Sequence, residues 1–437
     1  MKKINLIKTV CFIVVISSAS CNKEECKYDA PCVETEPEGY MVTTMEDNQG
    51  TSNVATIYKT TYNGSAPIGA NWNDIVLGAG QVGIIATPTW NVTNIGHVFG
   101  IALDNPNIYL AATDVYAYDS SGSTAFGSAG SAGIYKTDVN TPAVTSVLTT
   151  TLIANTGYTV GTNQIPNSGV GTGNSIGNIA YDKTNNQLFA TNLEDGRIYR
   201  IDPATGNIKS VFDPFAVDVP SNGMVGINER IWGIGVVTQN GTTEVYFART
   251  EATHNSIWSI KLDASGEFIA TSAGGSTPKL YVDSASSSKL EIQKIGVQNK
   301  ISDIEFSCSG KMLMAERGDP HTASIFEYKK TGTTWAVTYP FFSGGSSGNN
   351  SAGGVSYGGR ESGGSFIKDD IVWASQNYGI PLNNTYKSYG VQGISSTGNT
   401  ATTNGATDLF IDANAGTNDK GGIGDVDVFE SSCPCNN

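Results

Sequence analysis

The side chains able to do acid–base or ligand chemistry lie in the turns of a repeating pattern, not in one compact motif. His254 and His321, two of only three histidines, fall at nearly equivalent places in adjacent copies. Arg249 and Glu251 accompany the first, and Glu316, Arg317 and Asp319 accompany the second. Corresponding turns carry Asp114, then Asn192, Glu194 and Asp195, and finally Gln376 and Asn377. Imidazoles, guanidinium groups and carboxylates gathered on one face suit a sugar, a peptide or a metal ion. Ordinary solvated turns are the plain alternative. Asn178 and Asp303 differ, because each sits at the start of an apolar run, in Gly177-Asn178-Ile179 and Ser302-Asp303-Ile304. Their side chains are expected to point toward a central channel. Two oxygen ligands fall short of a calcium shell.

Other near-motifs fail on context. Residues 74–83 (DIVLGAGQVG) contain a G-x-G-x-x-G, but the strand-like IIATPT that follows, with Pro88, cannot open the helix a dinucleotide needs. No NAD site is expected. Asp412-x-Asn414-x-Gly416-x-Asn418-Asp419 breaks the EF-hand pattern at Gly416, Thr417 and Ile423 and reads as a turn. Residues 343–365 are nearly all Gly, Ser and Asn and read as a mobile loop or insertion. No Gly-x-Ser-x-Gly, His-Glu-x-x-His or P-loop occurs, so catalysis by a common nucleophile has no support.

The elements that carry these turns repeat. Residues 176–212 hold four alternating runs, N-I-A-Y-D, Q-L-F-A-T, R-I-Y-R-I-D and I-K-S-V-F, separated by Asn, Asp, Gly and Pro turns. The plan recurs at 98–113 with 133–138, at 231–263 and at 301–328, and in degraded form at 366–376. A four-stranded unit repeated this way predicts an all-β fold, a single β-propeller. Each sheet buries both faces only when its neighbours pack against it. Residues 55–60 read as a third strand and 423–429 as a first strand. Joined, they would complete one blade from both chain ends and leave no long edge exposed. Six blades are expected, with seven as the alternative.

The repeat plan over residues 55–430 resembles the bacterial propeller group of NHL-repeat, YVTN-repeat and gluconolactonase-like proteins. Gluconolactonase-like enzymes hold a divalent cation with an Asn and an Asp at places similar to Asn178 and Asp303. The resemblance therefore implies a Ca or Mg ion at those two. Matching copies carry Gly100 and Gly233 instead, and the family's first Glu ligand has no equivalent.

Charge and address narrow the function. The 437 residues carry 26 basic and 40 acidic side chains, a net charge of −14. No basic stripe exists to neutralise phosphates, so nucleic acid is excluded as a partner. With 19 Tyr, 15 Phe and 6 Trp, a core can form despite the 39% apolar content. Lys2, Lys3 and Lys8 precede the short apolar run Val10–Ile16 and then Ser18-Ala19-Ser20-Cys21. This resembles a lipoprotein signal with a lipobox, which makes Cys21 the lipidated residue. An ordinary signal peptide is the alternative. Lys23-Glu24-Glu25 resembles the surface-export signal of Bacteroidota lipoproteins, and Asp283-Ser284-Ala285 resembles their O-glycosylation site, with Ser284 the acceptor. The expected organisation is a signal peptide at 1–20, a polar tether at 21–50 and the propeller at 51–437.

Of seven cysteines, Cys11 would leave with the signal and Cys21 would carry lipid. Cys26 or Cys32 could pair with Cys433 or Cys435, or Cys26 with Cys32. Cys308 reads as a buried structural thiol.

The leading expectation is a surface lipoprotein of the outer membrane, held by its N-terminal lipid, that binds or docks a glycan or protein partner without catalysis or cofactor. The alternative is a metal-dependent gluconolactonase-like hydrolase or streptogramin-lyase-like enzyme using Asn178, Asp303, Glu316 and His321. A surface scaffold is the third.

Overall fold

The computed structural model describes residues 40–45, 54–59, 84–85, 90–113, 127–129, 133–139, 146–149, 176–193, 195–215, 225, 227–251, 253–273, 278–283, 287–295, 299–318, 321–344, 349–362, 365–376, 380–381, 387–388, 390–399, 409–412 and 423–429. Strands dominate. β1 (Tyr40–Met45), β2 (Ala55–Lys59) and β3 (Ile84–Ile85) lie side by side. β4 (Val98–Asp104), β5 (Asn107–Ala112), β6 (Ile134–Asp138) and β7 (Ser146–Thr149) form the next antiparallel sheet in simple order. β8 (Ile176–Asp182), β9 (Gln187–Asn192), β10 (Arg197–Ile201) and β11 (Ile208–Asp213) repeat it. In the third, β12 (Ile231–Gln239), β13 (Thr242–Thr250) and β14 (His254–Lys261) are followed by a hairpin of β15 (Thr271–Ser272) and β16 (Lys279–Val282), then β17 (Ser288–Ile295). β17 completes that sheet, while β16 crosses to lie parallel to β11 and extends the preceding sheet to six strands. β18 (Lys300–Phe306), β19 (Met312–Arg317), β20 (Ile325–Thr331) and β21 (Thr334–Phe341) make another. β22 (Ser351–Ser362) and β23 (Ser365–Gln376) pair, a small ladder of β24 (Ile380–Pro381) and β25 (Lys387–Ser388) follows, and β26 (Gly390–Ser395) and β27 (Leu409–Asp412) finish that sheet. β28 (Ile423–Val428) pairs with β1, with Met41 opposite Val428 and Thr43 opposite Val426.

The first strands β4, β8, β12, β18, β22 and β28 touch in that order, and β28 also touches β4. This is the sheet plan of a β-propeller.

Local chemistry fixes the turns. Between β8 and β9, Asp182 Oδ1 accepts from the Thr184 and Asn185 amides at 3.0 and 3.2 Å. Between β10 and β11, Asp202 Oδ1 accepts from Ala204 and Thr205 at 2.8 and 3.1 Å. Such side-chain caps hold a turn by replacing backbone bonds. Gly206 then takes a φ of 72°, where a Cβ would be strained.

The core lies between neighbouring sheets. Phe189, Ile198 and Phe212 pack against Ile231, Ile234, Val245 and Phe247 of the next sheet, with the Phe212 and Phe247 rings edge to face at 6.1 Å. Tyr246 and Ile257 pack in the same way on Phe306, Met312 and Met314. Each sheet thus has both faces covered, which explains the alternating runs that show no polar face.

Three expectations are corrected. β1 falls inside the segment read as a tether, so the fold starts before residue 51; Met41, Val42, Thr43 and Thr44 are all fully buried. Its two buried threonines hid the apolar pattern. β22 falls inside the Gly/Ser stretch read as a loop. That strand needs small residues, because a Cβ on Gly354 would stand 2.5 Å from Asp425 Cα. Cys308 is exposed and disulfide-bonded, not a buried thiol. Its partner lies outside the described residues.

Candidate functional site

Six residues, one from each first strand, form a ring: Gly100, Asn178, Gly233, Asp303, Gly354 and Asp425. Glycine and polar side chain alternate. A Cβ on Gly100 would stand 2.7 Å from Asn178 Oδ1, and one on Gly233 would stand 3.0 Å from the Asp303 amide. Each glycine makes room for the polar residue of the next strand. Pairing of the first with the second strand also slips here, between Val98 and Ile101, Ile176 and Ile179, Ile231 and Ile234, Ile301 and Asp303, and Ser351 and Val355. Such irregularities turn amides out of the ladder, and the ring side chains take them up. Asp303 Oδ1 accepts from Ile304 N at 2.8 Å and Asn178 Nδ2 at 3.1 Å, and its Oδ2 accepts from Val355 N at 2.8 Å. Asp425 Oδ1 accepts from Val426 N at 2.9 Å, and its Oδ2 accepts from Ile101 N at 3.1 Å. Asn178 Oδ1 accepts from its neighbour Ile179 N at 2.7 Å, while its Nδ2 also donates to Ser302 O at 3.0 Å.

Asp303 and Asp425 are buried and hydrogen-bonded to each other. Burial pushes both carboxyls well above the usual range; for Asp425 the charge of Asp303 adds to it. Two facing carboxyls in such a site favour holding a proton between them.

The divalent ion implied by the family resemblance does not fit here. Asp303 Oδ1 is taken by two donors, and Asn178 Oδ1 and Asp303 Oδ2 each by one amide, which leaves too few free oxygen sites for a calcium or magnesium shell. Among the described residues no group of three or more His, Cys, Asp or Glu side chains is placed to hold a metal. A cavity of about 190 Å³ opens on the ring, lined by Asp303 and Asp425 together with Tyr181, Lys183, Glu305 and Asp427 among others.

The turn residues divide into two kinds. Asn192, Asp195, Glu316 and Arg317 are buried. Asp195 accepts from Tyr199 OH and from the Arg197 amide at 3.1 Å. Burial pushes its carboxyl up to about 7 against these bonds. Glu316 Oε2 accepts from Ser324 N at 3.0 Å. Arg317 Nη1 donates to Ala352 O and, at 2.5 Å, to Ile423 O, so it ties β19 to the starts of β22 and β28. The sequence offers these four as binding-face or solvated turn residues; the structure buries them, Asp195 and Glu316 against near neighbours in their own turns and Arg317 against distant strands. His321 is exposed, with Nδ1 3.1 Å from Asn350 Oδ1. Gln376 is buried.

The second kind surrounds Arg249, at the end of β13. Its Cζ lies 4.3 Å over the Phe215 ring centroid and 4.7 Å over that of Trp258. Nε is buried and has no hydrogen-bond partner among the described residues. Burial lowers the guanidinium pKa, with Glu251, Asp283 and Glu229 acting in the opposite direction. Glu251 Oε2 lies 2.9 Å from His254 Nε2, and its Oε1 accepts from Ser256 Oγ at 2.7 Å. Trp258 Nε1 donates to Ser256 Oγ at 2.9 Å, and Gln293 Nε2 lies 3.1 Å from His254 Nε2. The half-buried Arg249, Glu251 and His254 lie close to one another where β13 turns into β14. His254 and His321 have separate partners.

Sequence reasoning missed Asp425, Phe215 and Trp258. Asp425 was findable, since Ile423-Gly424-Asp425 copies Ile301-Ser302-Asp303. Cys21, Cys26, Cys32, Asp114, Glu194, Ser284, Asp319, Asn377, Cys433, Cys435 and residues 74–83 lie outside the described side chains.

No protein-family model matches this sequence, and no curated protein does. Among solved structures, the chain is similar to one from a nidogen/laminin complex, at 10% identity and TM-score 0.42, over 90% of this chain and 100% of that one. It is also similar to the Dos1 propeller, at 10% identity and TM-score 0.34, over 69% and 59%. A third is hydrazine synthase of Kuenenia stuttgartiensis, at 10% identity and TM-score 0.37, over 80% and 77%. Nothing below rests on these likenesses.

Proposed function

We propose that this chain is a closed six-bladed β-propeller acting as a non-catalytic binding module. Cys21 carries its lipid anchor, and the fold faces outward from the outer membrane. Closure is supported by the pairing of β28 with β1 and by the contact of β28 with β4. The anchor is supported by the basic, apolar and small-residue order ahead of Cys21.

One observation carries the binding reading. The polar groups of the channel are engaged with one another and with backbone amides, whereas the guanidinium edge of Arg249 keeps a buried donor unmet. A ring of that kind braces the blades; an unmet donor at the rim awaits an acceptor. The ligand class is a glycan, taken at the Arg249, Glu251 and His254 cluster.

The test is a glycan array probed with the chain lacking residues 1–21. Saturable binding that is lost in Glu251→Gln with His254→Ala, at unchanged melting temperature, is expected. Failure of every array ligand and cell-surface extract to bind, or turnover of a lactone by the same protein, overturns the reading. Lipid labelling that survives Cys21→Ser would overturn the anchor.

A further inference from the structure

We infer that Arg249 anchors a single carboxylate on the ligand, of the kind borne by a uronic acid. This rests on the glycan-binding reading above and names its anchor.

An arginine offers five N–H donors in a planar fork. Arg249 has two aromatic rings against its guanidinium carbon, Phe215 and Trp258, and no hydrogen-bond acceptor among the described residues. The carboxylates around it are otherwise engaged. Glu251 is held by Ser256 and His254. Asp283 accepts from the Ser288 amide at 3.0 Å and from its hydroxyl. A buried donor without an acceptor costs stability, so its persistence calls for an explanation. Two apolar rings against the guanidinium carbon offer its N–H groups no acceptor, so those donors remain available to a ligand. An edge-on guanidinium matches a planar carboxylate with two parallel hydrogen bonds.

Charge limits the ligand to one carboxylate. Glu251, Asp283 and Glu229 all act on Arg249 electrostatically, and the chain carries −14 overall. A polyanion would be repelled far more than an isolated carboxylate that meets the guanidinium directly. A sugar suits the rest of the surroundings. Trp258 presents a ring of the type on which sugars stack. Thr253, His254 and Gln293, the first and last exposed, line the adjacent turn with hydroxyl-matching groups.

The probes are a glucuronyl disaccharide and its carboxyl-reduced counterpart, titrated calorimetrically into the chain lacking residues 1–21. The acid is expected to bind roughly tenfold or more tightly than the reduced sugar, the range of a hydrogen bond to a charged group. Arg249→Ala should bring the two sugars to equal affinity. Arg249→Lys, which keeps the charge and loses the fork, should lose most of the preference at unchanged melting temperature. Equal binding of both sugars by the native chain overturns the carboxylate and leaves the glycan reading standing. So does binding of another array ligand with neither disaccharide. Silence of both disaccharides and the whole array overturns both.

Discussion

Asp303 on β18 and Asp425 on β28 meet in a shared hydrogen bond, reaching past β22, whose Val355 amide also bonds to Asp303. Asp303 and Asp425 thus fasten strands from separate sheets, Asp303 through the Val355 amide and Asp425 through the Ile101 amide. Both carboxyls are raised above their unfolded value near 3.9. A raised carboxyl stabilises the fold fully below that unfolded pKa and loses the contribution as pH rises through its folded pKa. Stability attributable to the pair therefore declines from about pH 4 upward, by at most about 1.4 kcal/mol per pH unit for each proton released. Asp195, raised to about 7, adds in the same direction. Denaturant titrations across pH should show this decline, and a smaller slope in Asp425→Asn. An equal slope in the variant would contradict the shared proton.

The alternating ring ranks its glycines. A Cβ on Gly354 would stand 2.5 Å from backbone atoms of Asp425 and Val426, whereas on Gly233 the nearest atom is 3.0 Å away. Gly354→Ala should cost about 1–3 kcal/mol or more, as overpacking does, and Gly233→Ala less. Thermal melts of the two variants check the order.

The parts of this design differ in how readily the sequence displays them. The meander of β8 to β11 is plain, because alternating apolar residues and Asp-capped turns both mark it. β22 is hidden, because what it must satisfy is the close approach of Asp425 to Gly354 and of Arg317 to Gly353. Strand propensity does not register that need. The Arg249, Glu251 and His254 cluster is visible as neighbours in one turn. Arg317 looks alike in sequence, and only the fold brings Ile423 O to it. Phe215 reaches Arg249 from the preceding sheet, a relation no local pattern encodes.

A second brace should be as sensitive as the ring. Glu327 is fully buried and accepts from Lys311 Nζ at 3.1 Å, Tyr357 OH at 2.9 Å and Thr338 Oγ1 at 2.6 Å. It couples β20 to β22 of the next sheet. Glu327→Ala should cost about 3–5 kcal/mol, the range for opening a buried ion pair. Glu327→Gln should cost less, since Lys311 is partly exposed and can rehydrate. Chemical denaturation of both variants measures this.

Cys308 sits exposed in the turn after β18 and is disulfide-bonded. Peptide mapping of the unreduced protein should recover Cys308 joined to a second cysteine. Recovery of Cys308 as a free thiol would contradict the bond. Reduction should lower the melting temperature, as loss of a cross-link on the unfolded chain does.

The central claim is a division between a bracing channel and a binding rim. Asp303→Asn and Arg249→Ala, each measured for melting temperature and for glycan binding, test it together. Asp303→Asn is expected to melt lower and to bind normally while folded, and Arg249→Ala to stay folded and bind the acidic ligand roughly tenfold or more weakly. Loss of binding in folded Asp303→Asn with full binding in Arg249→Ala would contradict it.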